Sequence, residues 1–332
     1  MTPNAPAYVP VGIEAEAAPA ASSPVISIEN IVHRYDRRTA LDGVSFEVRR
    51  AELFGLLGPN GSGKTTLFRI LSTLMVPSSG RAVVLGSDVA TDPSMLRRKI
   101  GVVFQAQSID RKLTAAENLW HQGHLYGLHG PALKSRMAEM LARVGLADRA
   151  QEKAETFSGG MQRRLELAKG LLHRPAVLLL DEPTTGLDPG ARRDLWQYLG
   201  ILRDQEQVTV IVTTHLMEEA EGCDRLAILS EGKLVALGTP AELKQEIGGD
   251  VILLDTPNAE SLAERLRERF QVDAQVLEGQ IRLERTNGHR FMTDLVESFP
   301  GEIDAISISK PSLEDVFIRR TGHRFWTEGS QP

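Results

Sequence analysis

Gly58-Pro59-Asn60-Gly61-Ser62-Gly63-Lys64-Thr65 stands between the apolar run Leu53-Phe54-Gly55-Leu56-Leu57 and a stretch, 65–74, with apolar residues at helical spacing. A G-x-x-x-x-G-K-T run between a strand and a helix is a phosphate-binding loop. Its glycines let the backbone curl so that successive N–H groups face phosphate oxygens, and the following helix adds its positive end. Lys64 would then sit on the β- and γ-phosphates of a nucleoside triphosphate. The Thr65 hydroxyl would ligate Mg²⁺, with Thr66 as a neighbouring phosphate contact. The bland alternative, a flexible turn before a helix, does not need Lys-Thr at that spacing.

Downstream, Ala176-Val177-Leu178-Leu179-Leu180-Asp181-Glu182 ends an apolar strand on two carboxylates. Ligands of parallel α/β sheets bind at the carboxyl ends of strands. Asp181 is therefore expected to hold Mg²⁺, through water, and Glu182 to act as the general base on an attacking water. An isolated Asp-Glu pair would more often cap the next element, but the upstream loop gives this pair a ligand. Between the two motifs, Phe157-Ser158-Gly159-Gly160-Met161-Gln162 is a Gly-rich turn running into a helix, which has the makings of a second anion site.

Around these motifs short apolar runs are expected as strands over 25–31, 44–48, 82–85, 100–104, 208–212 and 226–229, alternating with helices over 189–202 and after His215. Strands that are apolar on both faces imply a mostly parallel sheet covered by helices. The Ala-, Leu-, Arg- and Met-rich stretch 114–144, broken near Gly127 and Gly130, predicts two or three helices. The polar segment 238–249 is expected to close this domain. Beyond it the order β-α-β-β-α-β over 251–309 matches a ferredoxin-like split unit.

With 332 residues the chain is long enough for one large core and a smaller one. Its formal charge of −6 gives no general attraction to nucleic acid, so none is expected as a partner. Cys223, the only cysteine, excludes an internal disulfide. No run approaches the about 20 apolar residues of a membrane-spanning helix. Residues 1–24, rich in Ala and Pro and without the basic start of a secretory signal, are expected to form a disordered leader.

FSGGM, standing shortly before LLLDEPTTGLDP, resembles the signature motif of ABC ATPases, and the motifs over 26–240 occur in that family's order. The resemblance implies ATP and Mg²⁺ as cofactors, ATP hydrolysis, and an α/β fold: a mostly parallel core sheet, an antiparallel β subdomain and a helical insert at about 106–160. It implies that Ser158, Gly159 and Gly160 bind the γ-phosphate held by Gly58 to Thr65 of a second copy, two chains sandwiching two ATP molecules head to tail. By the same resemblance Gln105 is the Q-loop glutamine sensing Mg²⁺ and the attacking water. Asp188 belongs to the D-loop at the dimer interface, His215 is the switch histidine that positions Glu182, and Tyr35 stacks on adenine. Phe157 and Met161 depart from the commonest form, LSGGQ, and the second swap removes an amide that would face the opposite nucleotide.

The chain end, Leu313-Glu314-Asp315-Val316-Phe317, resembles the small domain that follows ATPases of the daunorubicin-resistance type of exporter. The expected organisation is thus a leader (1–24), an ABC ATPase domain (25–248), a C-terminal α+β accessory domain (249–322) and a tail (323–332). The reading favoured is the ATPase subunit of an exporter for drugs, lipids or polysaccharide, held at the cytoplasmic face of the membrane by an integral-membrane permease. Ile109, Leu113, Trp120 and Leu125 are candidates for the permease contact. An importer subunit shares every catalytic motif, and a soluble ABC ATPase remains a further alternative. The bland readings of His121 and His124, a solvated helix face, and of the basic aromatic run from Arg319 to Trp326, a frayed end, are preferred over metal or headgroup binding.

Overall fold

The computed structural model describes residues 24–325. The leader up to Ser23 and the tail from Trp326 lie outside the described residues. In chain order the strands are β1 (Ile26–Tyr35), β2 (Arg38–Val48), β3 (Leu53–Leu57), β4 (Ser79–Val84), β5 (Ser87–Asp88), β6 (Ile100–Val103) and β7 (Val177–Asp181). They continue as β8 (Thr209–Thr214), β9 (Arg225–Ser230), β10 (Lys233–Gly238), β11 (Asp250–Asp255), β12 (Ala274–Leu277), β13 (Gln280–Arg285) and β14 (Ala305–Ser309).

The central sheet has the order β10-β9-β3-β8-β7-β6 and is parallel except for β10. Alternate side chains of its buried strands feed two cores. Leu178, Leu180, Val210 and Val212 face one with the helical insert, while Leu179, Ile211, Phe54 and Leu56 face the other. That second core is closed by the antiparallel sheet β2-β1-β4-β5, where Phe46 stacks on Phe54 with ring centroids 5.2 Å apart. The α/β architecture and antiparallel subdomain expected from the motifs are present. β10 was not anticipated.

The insert is two helices, Ala115–Leu125 and Gly130–Arg143, separated by Gly127 and Gly130 at positive φ. Thr114 and Glu117 form a reciprocal capping box at the start of the first. Arg136 reaches across to donate to the carbonyls of Leu171 and Leu172, at 2.8 and 3.0 Å, at the end of helix Gly159–Leu171. The candidate permease contacts divide here. Ile109 is buried in the insert's own core, Leu113 is half-buried, and Trp120 and Leu125 are exposed, Leu125 by 82%.

The C-terminal unit has the sheet order β12-β13-β11-β14, antiparallel throughout, with helices Ala259–Phe270 and Gly288–Ser298 as the crossovers. That is the ferredoxin-like arrangement. Two features differ from the sequence reading. The polar segment 238–249 contains a helix, Pro240–Gln245, capped by Thr239 and Glu242, whose apolar Leu243 and Ile247 are buried. And the run placed in a frayed end is docked: Phe325 is buried, edge-on to Phe317 at 4.9 Å. Helix Leu313–Thr321 puts Leu313, Val316 and Phe317 into one cluster with Leu243, Leu57 and Ile228, so the two units share a core. Buried Arg282 of β13 ties that helix to the C-terminal sheet through Asp315 at 3.2 Å.

Phe317→Ala removes a fully buried ring from this shared core. It should lower the unfolding free energy by about 3–5 kcal/mol in urea denaturation, a loss in the range of core Phe truncations. A change below about 1 kcal/mol would show that the C-terminal helix does not contribute to folding.

Candidate active site

β3 runs straight into the loop Gly58–Thr65, and the loop into helix Lys64–Leu71. Two glycines are obligatory there. A Cβ on Gly58 would lie 2.4 Å from the Leu229 carbonyl, and Gly63, at φ 106, would bring one within 2.6 Å of the Ala40 carbonyl. The curl directs the Lys64 side chain back under the loop, where its ammonium donates to the carbonyls of Gly58 at 2.6 Å and Pro59 at 3.0 Å. Lys64 is only 4% exposed. Burial pushes its pKa down, opposed by the negative charge of Glu182 and Asp181.

Asp181 ends β7 and Glu182 follows it. Thr213 of β8, paired with Asp181 across the parallel ladder, organises both: its hydroxyl donates to Asp181 Oδ1 at 2.6 Å and accepts from the Glu182 N–H at 2.9 Å. Glu182 is held at φ 43, a left-handed conformation that costs a non-glycine residue of order 1 kcal/mol or more and marks functional turns. Its carboxylate lies 3.1 Å from His215 Nδ1, accepts from Gln105 Nε2 at 3.2 Å and from the Thr185 hydroxyl at 3.4 Å. The hydrogen bond with His215 is the main cause that holds the Glu182 carboxyl below the ordinary range, against the effect of burial. Asp181 behaves oppositely. Burial pushes its carboxyl up and Glu182 adds to this, while the Thr213 hydroxyl and Lys64 oppose it.

Tyr35, Asn60, Gly61, Gly63, Lys64, Thr65, Thr66 and Glu182 line a single cavity of about 190 Å³. Gln105 and His215 meet Glu182 through hydrogen bonds to its carboxylate, and Gly58, which opens the loop, is buried. On the other side of the loop Pro59 and Ser62 line a second cavity with His323, Arg324 and Phe325. Ser158, Gly160 and Asp188 are elsewhere. They line a separate cavity of about 300 Å³ with Met161 and Arg164. Ser158 caps helix Gly159–Leu171 by accepting from the Met161 N–H at 3.3 Å, and Asp188 caps helix Pro189–Glu206 by accepting from Gly190 and Ala191, each at 2.9 Å. Of the two departures in the signature, Phe157 is buried in the insert core and Met161 is half-buried against it.

Several residues at the site carry no motif of their own. Arg38 lines the nucleotide cavity and donates to the Gly61 carbonyl at 3.1 Å. Glu219, buried, accepts from the hydroxyls of Thr214, at 2.6 Å, and Thr184, fixing the turns after β8 and β7 against each other. Arg163 and Glu166 are an ion pair at 2.8 Å beneath the loops. Their one sequence signal is an opposite-charge pair at i, i+3 on the helix that follows the signature turn. The oxygens of Thr65, Asp181 and Gln105 are the hard donors Mg²⁺ prefers, and a dication would add positive charge beside a carboxyl that burial and Glu182 push up despite Lys64. The residues therefore fit this ion.

A family model described as ABC transporter matches residues 41–185, and one described as "ATP-binding protein DrrA1-3-like, C-terminal domain" matches residues 238–321. The chain is 38% identical over 308 residues to the linearmycin resistance ATP-binding protein of Bacillus subtilis, covering 90% of this chain and 98% of that one. It is 37% identical over 308 residues to the daunorubicin/doxorubicin resistance ATP-binding protein of Streptomyces peucetius, covering 90% and 92%. With the Nod factor export ATP-binding protein I of Ralstonia nicotianae it shares 38% over 309 residues, covering 91% and 95%. Among solved structures, the dimer of an ATP-binding cassette in a post-hydrolysis state bound to ADP and Pi superposes with a TM-score of 0.60 at 28% identity, covering 64% of this chain and 98% of that one. The loop that buries Lys64, the paired carboxylates of β7 and these relatives agree, and the chain belongs to the ABC transporter family as an ATP-binding subunit that hydrolyses ATP.

Proposed function

We propose that two copies of this chain close head to tail on two ATP molecules and that this cycle drives a separate membrane permease in export of a drug, lipid or polysaccharide. The observation that carries the reading is the division of the motifs between two cavities. Lys64, Thr65 and Glu182 share one, whereas Ser158, Gly160 and Asp188 share another. A second copy brings the two kinds of half-site together. The names of the resistance and export relatives support the direction of transport. Among the described residues no helix is long and apolar enough to cross a membrane, which fits peripheral attachment at the cytoplasmic face through a permease. The exposed Trp120 and Leu125 of the insert are the contact surface.

In this reading Tyr35 stacks on adenine, Gly58 and Pro59 open the curl, and the backbone N–H groups of Asn60, Gly61, Ser62, Gly63, Lys64, Thr65 and Thr66 cradle the phosphates with the Lys64 ammonium. Thr65, Gln105 and, through water, Asp181 would hold Mg²⁺, which would supply positive charge against the phosphates. Glu182 takes the proton from the attacking water as its oxygen bonds to the γ-phosphorus and the bond to ADP breaks. His215 and Gln105 keep that carboxylate aimed, and its low pKa keeps it ionised at neutral pH. Ser158, Gly159 and Gly160 with Asp188 complete the other copy's site, adding charge-assisted hydrogen bonds that are lost on phosphate release. The C-terminal unit steadies or regulates the pair.

Glu182→Gln should bind ATP, elute as an ATP-dependent dimer and lose about 10²-fold or more in turnover. Lys64→Ala should fail at binding. A Glu182→Gln protein that hydrolyses ATP at the wild-type rate would sink the assignment of the base. Purified from gently solubilised native membranes in ATP, the same variant should carry a polytopic membrane protein at one-to-one stoichiometry, and ribosomal proteins in its place would end the transporter reading.

The Glu182 carboxyl carbon, followed by ¹³C NMR, should titrate below the free glutamate value of about 4.3. The base is thus charged from that low pKa upward and is lost only as pH falls through it. In His215→Ala the chief cause of the depression is gone, and the midpoint should move up toward 4.3. An unchanged titration would show that another group holds the carboxylate.

A further inference from the structure

Helix Gly159–Leu171 bears the signature in its first turn and Arg163 at the start of its second. Arg163 is 7% exposed, and its guanidinium is spent on the two loops of the site. Nη1 donates to the Phe104 carbonyl at 2.7 Å, Nε to the Pro183 carbonyl at 2.7 Å and Nη2 to the Asp181 carbonyl at 3.3 Å. Phe104 immediately precedes Gln105, and Asp181 and Pro183 flank Glu182 on both sides. Glu166, 2% exposed, pairs with Nη1 through Oε2 and accepts from the Ser108 N–H through Oε1 at 2.6 Å. Lys169, one turn on, donates to the Ser108 carbonyl at 2.6 Å. One face of one helix thus grips the segment around Gln105 at both ends and the turn around Glu182 at both sides.

We propose that Arg163, braced by Glu166, is a positioning residue that locks the loops bearing Gln105 and Glu182 to the signature helix, so that engagement of this helix with the neighbouring copy's nucleotide sets the geometry of hydrolysis in its own site. The inference rests on the reading of Glu182 as base and of the signature as facing a second copy. Its physical basis is that a guanidinium presents N–H donors in a rigid fork, which fixes three carbonyls in one plane-bound geometry, whereas an ammonium is a point donor on a flexible stem. An ion pair taken out of water gives little net stability, and in some proteins such a pair serves to select one arrangement. Here that arrangement aligns the 3.2 Å contact between Gln105 and Glu182. Thr213 orders Glu182 from β8 and His215 holds its carboxylate, but Arg163 alone among these groups comes from the helix that carries Ser158.

The test is steady-state ATP hydrolysis by the full-length chain with Mg²⁺, comparing wild type with Arg163→Lys, Glu166→Gln, Glu182→Gln and the double variant Arg163→Lys/Glu182→Gln. Arg163→Lys keeps the charge and loses the fork. It should reduce kcat by about ten- to a hundredfold, the range for a misplaced catalytic group, with KM for ATP within about twofold. Glu166→Gln should move kcat the same way by less, and it carries the test if Arg163→Lys is not recovered folded. In the Glu182→Gln background the lysine should add no more than about a twofold loss, because the group it positions is already gone. Wild-type kcat in both Arg163→Lys and Glu166→Gln, a loss confined to KM, or the same loss with and without Glu182 would each overturn the proposal. Wild-type turnover by Glu182→Gln would instead remove the reading of the site on which the proposal rests.

Discussion

A lysine ammonium taken out of water has to be surrounded by oxygen, and the protein meets this at Lys64 with backbone first and carboxylates second. The carbonyls of Gly58 and Pro59 reach it only because the loop doubles back, and the loop doubles back only because Gly58 and Gly63 lack a Cβ. Parallel pairing of β3 with β8, and of β8 with β7, then brings Asp181 and Glu182 to the same edge of the sheet. The site is in this sense a consequence of how a buried cation is accommodated. Phosphate oxygens add to an arrangement already organised for them.

The two carboxylates show how neighbours give adjacent residues different tasks. Asp181 is buried with a like charge beside it, and these push its carboxyl up although the Thr213 hydroxyl and Lys64 oppose them. Glu182, a single residue on, is turned by its left-handed backbone toward His215 and Gln105 and stays ionised. Thr213 is the common support of both. Around them Arg163 with Glu166, and Glu219 with Thr184 and Thr214, form buried polar networks whose members hold one another's geometry.

The accessory unit is joined to this machinery by packing as well as by the chain. Helix Leu313–Thr321 shares a core with Leu57, the last residue of β3 before the phosphate loop, and Phe325 lines a cavity with Pro59 and Ser62 on that loop's outer side. The C-terminal end is therefore a neighbour of the phosphate loop in space although more than 250 residues away along the chain.

The sequence by itself determined the nucleotide loop, the strand-borne carboxylates, the signature turn and the alternation of strands and helices, because each depends on residues close together in the chain. A glycine curl needs its glycines at fixed offsets, and a buried parallel strand needs an unbroken apolar run, as in β7. The ferredoxin-like order of the C-terminal unit was legible for the same reason. What the sequence did not show is what is set by partners distant in the chain. The positions of Arg38, Glu219, Arg163 and Glu166 follow from which strands pair and which helix lies under them, and a charged side chain looks alike in sequence whether solvated or buried. The docking of Phe325, the helix within 238–249 and the burial of Ile109 depend on apolar surface supplied by other segments. Only the tertiary structure decided those, since burial is a property of the surface a residue meets and not of the residue.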